Sequence, residues 1–181
     1  NGEIYNYRAI RNELIQLGYG FRTNSDTEVL VQGFAAWGPE LFGRLNGIYA
    51  FAIYDGRKDP GDVWLVRDPA GVKPLYLGRH RGTWWFSSEL AAAREVGCMD
   101  PELRLDALDE YLVYRFIPSP GTPFRNTWKM PPGHYVRIPL GALPEEPRFE
   151  RFETRFEPSV LPKTEDEWGE ALRSGLAAAV E

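Results

Sequence analysis

Two short clusters near the start of this 181-residue chain carry side chains able to do chemistry. In Asn1-Gly2-Glu3-Ile4-Tyr5-Asn6-Tyr7, the Asn1 carboxamide and the Gly2 backbone can aim two N–H donors at one point, which is the chemistry of an oxyanion hole. An Asn-Gly dipeptide also forms a tight turn readily, and on these two residues alone the turn is the stronger reading. The second cluster, Ser25-Asp26-Thr27-Glu28, heads an apolar run. Ser25 and Glu28 fit a capping box, which leaves Asp26 free in the first helical turn. That carboxylate either faces the helix dipole, worth a few tenths to about 1 kcal/mol, or receives a substrate ammonium. Elsewhere the usual catalytic sets are missing. His80, in Gly78-Arg79-His80-Arg81-Gly82, reads as a hairpin residue, and neither it nor His134 has a Ser or Cys nucleophile pattern beside it. Cys98 reads as a packed thiol, and no metal-ligand spacing or Walker-type glycine loop occurs.

The elements that must hold these clusters follow from hydrophobic spacing. Ile4, Tyr7, Ile10, Leu14 and Leu17 recur at helical steps until Gly18 and Gly20, which predicts an amphipathic helix. A second helix is predicted from about Asp26 to Trp37. Gly47 to Tyr54 is apolar on both alternating faces, as expected of a central strand between two layers. Val63–Val66, Pro74–Leu77 and Thr83–Ser87 follow at short intervals and predict an antiparallel meander. Short helices are expected at Glu89–Arg94 and from Asp106, the latter with Leu108, Tyr111 and Leu112 on one side. Ten of the 15 prolines lie between Pro118 and Pro162, so that stretch is expected to be extended, with one strand at His134–Ile138. Thr164 and Glu167 form another capping box, and the stripe Trp168, Leu172, Leu176 and Val180 is still running when the chain ends.

Composition bounds the function. With 43% hydrophobic and 14% aromatic residues, the chain can bury the core of one domain. Its net charge of -5 is spread out, with no basic block, so nucleic acid is not an expected partner. The apolar run Ile48–Tyr54 is too short to cross a bilayer, so no membrane partner is expected either. A single cysteine excludes an internal disulfide framework and suits the cytoplasm.

The blocks Asn1–Asn6, Ser25–Glu28, Leu45–Ala52, Arg67-Asp68, Gly71–Tyr76, Ser88-Glu89 and Pro131–His134 stand in the order seen in glutamine-hydrolysing asparagine synthetases. The chain resembles their N-terminal class II glutamine amidotransferase domain over nearly its whole length. The resemblance implies an α+β, N-terminal-nucleophile hydrolase fold: a four-layer αββα sandwich of two antiparallel sheets, here expected to lack its first strands. It implies that Asn1 and Gly2 form the oxyanion hole, and that Asn1, Gly2, Glu3 and Asp26 bind glutamine. The nucleophile it implies is an N-terminal cysteine assisted by its own amino group, which would precede Asn1 in a longer parent together with an arginine for the substrate carboxylate.

The same resemblance divides the chain. Residues 1–138 are expected to be a partial amidotransferase domain, 139–163 a Pro-rich linker, and 164–181 the start of a helix leading to an absent ATP-pyrophosphatase-type synthetase domain. Glutamine and that domain are the expected partners, with a homodimer as a further expectation. No cofactor or metal is expected here, while ATP and Mg2+ are expected in the synthetase domain. The expected activity is hydrolysis of glutamine to glutamate and ammonia for amidation of aspartate or a similar carboxylate, with the 181-residue piece itself inactive. The alternative is an inactive amidotransferase-like interaction domain. Pro69-Ala70 and Ser88-Glu89-Leu90-Ala91 depart from the synthetase pattern, which blurs the acceptor rather than the glutaminase assignment.

Overall fold

Two glycines decide how the first strand lies. In the computed structural model, which describes residues 1–154 and 164–180, β1 (Gly2–Ile4) runs antiparallel to β2 (Gly47–Asp55). Gly2 stands opposite Tyr49, Glu3 opposite Ile48 and Ile4 opposite Gly47. A Cβ on Gly47 would sit 2.2 Å from the Glu3 carbonyl oxygen, and one on Gly2 2.0 Å from that of Ile48. Backbone approaches this close exclude any side chain at either position.

Ile4 therefore belongs to a strand, not to the helix its spacing suggested, and it is 1% exposed. Helix α1 (Tyr7–Gln16) starts later and buries Ile10 and Leu14, while Leu17 lies beyond its end and is exposed. Asn6 fixes the junction: its Nδ2 donates to the Arg44 carbonyl (2.9 Å) and its Oδ1 accepts the Asn46 N–H (2.9 Å).

Helix α2 spans Asp26–Trp37, as expected. Its Ser25 cap accepts the Thr27 N–H at 3.1 Å. The capping box with Glu28 does not form. Glu28 instead accepts the backbone N–H groups of Arg22 (2.8 Å) and Thr23 (2.7 Å) and the Thr23 hydroxyl (2.6 Å). Three donors from the preceding loop outcompete the single Ser25 N–H, which is met by Thr23 Oγ1 at 3.2 Å. These donors, the Thr23 hydroxyl first, hold the Glu28 carboxyl below its ordinary range.

The remaining strands are β3 (Asp62–Arg67), β4 (Tyr76–His80), β5 (Thr83–Ser87), β6 (Thr127–Lys129), β7 (His134–Pro139) and β8 (Glu150–Arg151). One antiparallel sheet has the order β1-β2-β3-β7-β8 and the other β5-β4-β6. The meander expected from the sequence is thus split between two sheets, with the crossing between β3 and β4. Helices α1 and α2, through Ile10, Leu14, Val29 and Phe34, and the 3-10 helix Gly38–Arg44, through Phe42, cover the five-stranded sheet at Tyr49. Ala50, Leu65, Val136 and Ile138 meet Leu75, Leu77 and Met130 between the sheets. Helix α3 (Leu90–Glu95) lays Ala93 on Trp85 of β5 with Met99 beside them. Four layers, helix on sheet on sheet on helix, result.

Arg67 and Asp68 build the crossing. The buried Arg67 guanidinium donates to the carbonyls of Lys73 (2.7 Å), Gly71 (2.6 Å) and Met130 (2.5 Å). The Asp68 carboxylate accepts the Val72 and Lys73 N–H groups, each at 3.0 Å. Its backbone joins Tyr49 of β2 and Gly133 before β7, so one dipeptide ties both sheets to the connecting loop.

Three findings concern the second half. Helix α4 (Leu105–Tyr114) forms, but the side bearing Leu108 and Leu112 faces outward and its only buried residue is Ala107. The Pro-rich stretch contributes β6 and β8, and β8 pairs with β7 with Phe152 buried beside it, so the packed unit extends past residue 138. In α5 (Glu165–Val180) the capping box does form: the Thr164 N–H donates to Glu167 and the Glu167 N–H to Thr164 Oγ1.

Tyr49 offers a test of the core. Its hydroxyl is buried without a hydrogen-bond partner among the described residues, and burial together with the Asp68 charge pushes its ionisation upward. Tyr49→Phe removes the unsatisfied group and keeps the ring, so stability is expected to stay level or rise by up to about 1 kcal/mol in urea unfolding. Tyr49→Ala is expected to cost about 3 kcal/mol or more.

Candidate functional site

The hydrogen-bond alternation of an antiparallel ladder decides what β1 presents. Asn1 and Ala50 exchange both backbone bonds, at 2.8 and 3.1 Å, which makes them a hydrogen-bonded pair. Gly2 and Ile4 therefore occupy the non-bonded pairs, and their N–H groups point away from β2 toward the free edge. The Ile4 N–H is met by Asp26 Oδ2 at 3.3 Å. Among the described residues the Gly2 N–H has no acceptor on the same edge. Asn1 is exposed, and its carboxamide has no hydrogen-bond partner among the described residues.

Gly2, Glu3 and Asp26 line one depression of about 350 Å³ with Tyr7, Asn24 and Ser25. Asn1 lines a separate cleft of about 420 Å³ between the sheets, with Ala50–Ala52, Pro74, Leu75 and Phe86–Ser88. The expected site residues thus line two depressions, Asn1 one and Gly2, Glu3 and Asp26 the other. Two carboxylates, Glu3 and Asp26, border the first depression and favour a cation there. The cleft beside Asn1 is walled by apolar side chains and backbone, with hydroxyls only from Ser87 and Ser88.

Asp26 is not the unengaged carboxylate suggested by the capping pattern. It clips β1 to the N-terminus of α2, which also satisfies one donor of an otherwise bare strand edge. Neither Tyr7, read as part of a helical stripe, nor Asn24 was an expected site residue. The place of Asn24 beside the Ser25 cap is the one signal that could have found it. His80 closes the β4–β5 hairpin opposite Thr83, with Arg81 and Gly82 both at positive φ in the turn, as its spacing suggested. His134 shares a 2.7 Å bond between its Nδ1 and the Pro132 carbonyl. Cys98 donates to the Ala93 carbonyl at 3.2 Å and lines neither depression.

Two antiparallel sheets enclosed by helical layers make an N-terminal-nucleophile hydrolase fold of the amidotransferase kind. A solved structure of glutamine phosphoribosylpyrophosphate amidotransferase from B. subtilis matches with a TM-score of 0.59 at 23% identity, covering 86% of this chain and 29% of that one. The profile of the glutamine amidotransferase domain matches residues 1–171, and the chain belongs to that family.

Its relatives include asparagine synthetase [glutamine-hydrolyzing] 1 of Bacillus subtilis, 38% identical over 138 residues, 76% of this chain and 21% of that protein. Asparagine synthetase B of Escherichia coli is 43% identical over 94 residues, 51% of this chain and 16% of that protein. The chain spans about a fifth of the length of such relatives. Among the described residues no helix is long and apolar enough to cross a membrane.

Proposed function

We propose that this chain is the glutamine-hydrolysing portion of an asparagine-synthetase-type, ATP-dependent amidotransferase acting on aspartate or a similar carboxylate. The observation that carries this reading is the Gly2 N–H on the edge of β1 next to the Asn1 carboxamide, neither with a hydrogen-bond partner among the described residues. In the parent, a cysteine thiolate preceding Asn1 attacks the glutamine side-chain carbonyl carbon. A C–S bond forms and the carbonyl π pair moves onto oxygen, where the Asn1 and Gly2 donors stabilise it. Collapse breaks the C–N bond, and the amide nitrogen leaves as ammonia after taking a proton from the cysteine's amino group. Water then cleaves the thioester to give glutamate. Glu3 and Asp26 hold the substrate's ammonium end. ATP and Mg2+ belong to the synthetase portion, and the assembly is a cytoplasmic enzyme, with a homodimer as its further expected association.

The test is the full-length parent with its N-terminal cysteine intact, assayed for glutamate release and for glutamine- against ammonia-driven synthesis. Absence of glutamate release overturns the reading. Cys98, held at the end of α3, favours a second reading for any parent that lacks an upstream cysteine: an inactive scaffold domain. Met-Cys-Gly at the parent's start favours the enzyme, and any other second residue the scaffold. By itself the 181-residue chain is expected to release no glutamate, having no nucleophile beside Asn1.

The clip between Asp26 and β1 gives Asp26 two separable tasks. Asp26→Asn keeps an acceptor for the Ile4 N–H but loses the charge, so the glutamine KM is expected to rise about tenfold with kcat nearly kept. Asp26→Ala also frees β1, and kcat is expected to fall about tenfold as well. Steady-state kinetics of the two variants of the parent read the difference.

A further inference from the structure

Helix α4 turns its apolar side outward. Leu105, Leu108 and Leu112, at i, i+3 and i+7, share one face and are 76%, 41% and 71% exposed, whereas Ala107 on the opposite side is fully buried. Val113 and Phe116 extend the exposed apolar surface at 73% and 60%. A continuous apolar face of this kind on a folded domain marks an interaction surface. Beside it, Asp109 has no ion-pair partner among the described residues, whereas Asp106 is paired with Arg104.

We propose that this face is where the remainder of the parent chain, its synthetase portion, docks on the amidotransferase domain. The proposal rests on the function proposed above and adds the location of the contact. Relatives carry about four-fifths of their length outside the part matched here, so a large further body is available to cover it. The domain match ends at residue 171, within α5. Along that helix Trp168, Leu172 and Leu176 form a second uncovered stripe. The chain thus runs out of the domain along a helix that needs the same kind of cover. The Asp109 carboxylate beside the stripe calls for an apolar partner surface edged with Lys or Arg.

The experiment uses the full-length parent. Amide hydrogen exchange across residues 105–116 is expected to be slow in the wild type and about tenfold faster or more in the double variant Leu105→Glu/Leu112→Glu. Both positions are solvent-facing in the isolated domain, so the variant domain folds. Glutamate release and ammonia-driven synthesis are expected to stay within about twofold, while synthesis per glutamate released falls about fivefold or more. Fast exchange in the wild type, or unchanged exchange and coupling in the variant, overturns the proposal. So does a variant that converts a dimer to monomers with coupling intact, since a second copy would then be the cover. A wild-type parent that releases no glutamate refutes the glutaminase reading instead, and the exchange arm still decides the docking face.

Discussion

Gly2→Ala in the full-length parent is expected to lower glutamine-dependent activity by about 100-fold or more while ammonia-dependent synthesis stays within about twofold. Gly2 holds φ at +129°, a conformation that side-chain-bearing residues rarely adopt, and a Cβ there would lie 2.0 Å from the Ile48 carbonyl oxygen and 2.6 Å from the Tyr49 Cα. The obstacle is backbone in the middle of a ladder, not the end of a flexible side chain. Strain at such a φ and the forced separation together cost about 3 kcal/mol or more, enough to lift β1 away from β2. Lifting β1 displaces the Asn1 carboxamide and re-aims the Gly2 N–H, the two donors assigned to the oxyanion. Glutamate release and ammonia-driven synthesis, measured side by side, separate this local damage from a general loss of folding. A variant within about tenfold of wild type in glutamate release would mean that the Gly2 backbone does not stabilise the oxyanion.

The second large effect is on stability. Arg67→Leu is expected to lower the unfolding temperature of the amidotransferase domain by about 10 °C, corresponding to a loss of about 4 kcal/mol. The guanidinium satisfies the Lys73, Gly71 and Met130 carbonyls, and a leucine leaves these acceptors without their donors. Arg67→Lys is expected to recover less than about half of the loss, because a single ammonium cannot reproduce the planar fork that reaches three separate carbonyls. Calorimetry of the parent, following the transition that belongs to this domain, reads both variants. A small effect would mean that the loop between β3 and β4 is held by Asp68 and its two backbone N–H contacts without help.

These two residues mark the boundary of what was legible. Asn1-Gly2 and Arg67-Asp68 both stood out as motifs, yet nothing in their types distinguishes an open N–H from a turn, or a buried hub from a surface ion pair. Helix α2 was legible to the residue because its cap and apolar spacing are local. Ile4 was misplaced because one apolar residue three before a helix fits the helical period as well as it fits a strand end. The capping box was misassigned at Ser25 because the preceding loop offers Glu28 three competing donors, whereas the one at Thr164 forms. The outward face of α4 was not legible, because amphipathic spacing groups Leu108 and Leu112 on one side without stating which body covers it.

By itself, the sequence determined the local segments, the absence of a basic or membrane-spanning stretch, and an ordered set of motifs that placed the chain among glutamine amidotransferases. These depend on neighbours a few residues apart. The tertiary structure decided which N–H groups of β1 face outward, that Asp26 reaches across to Ile4, and that β3 and β4 part into different sheets. It also divided the candidate residues between two depressions, with Asn1 in the cleft between the sheets and Gly2, Glu3 and Asp26 around the other. The register of an antiparallel pair joins residues nearly fifty positions apart, and its alternation is set by which pair exchanges hydrogen bonds. No periodicity within either segment carries that information.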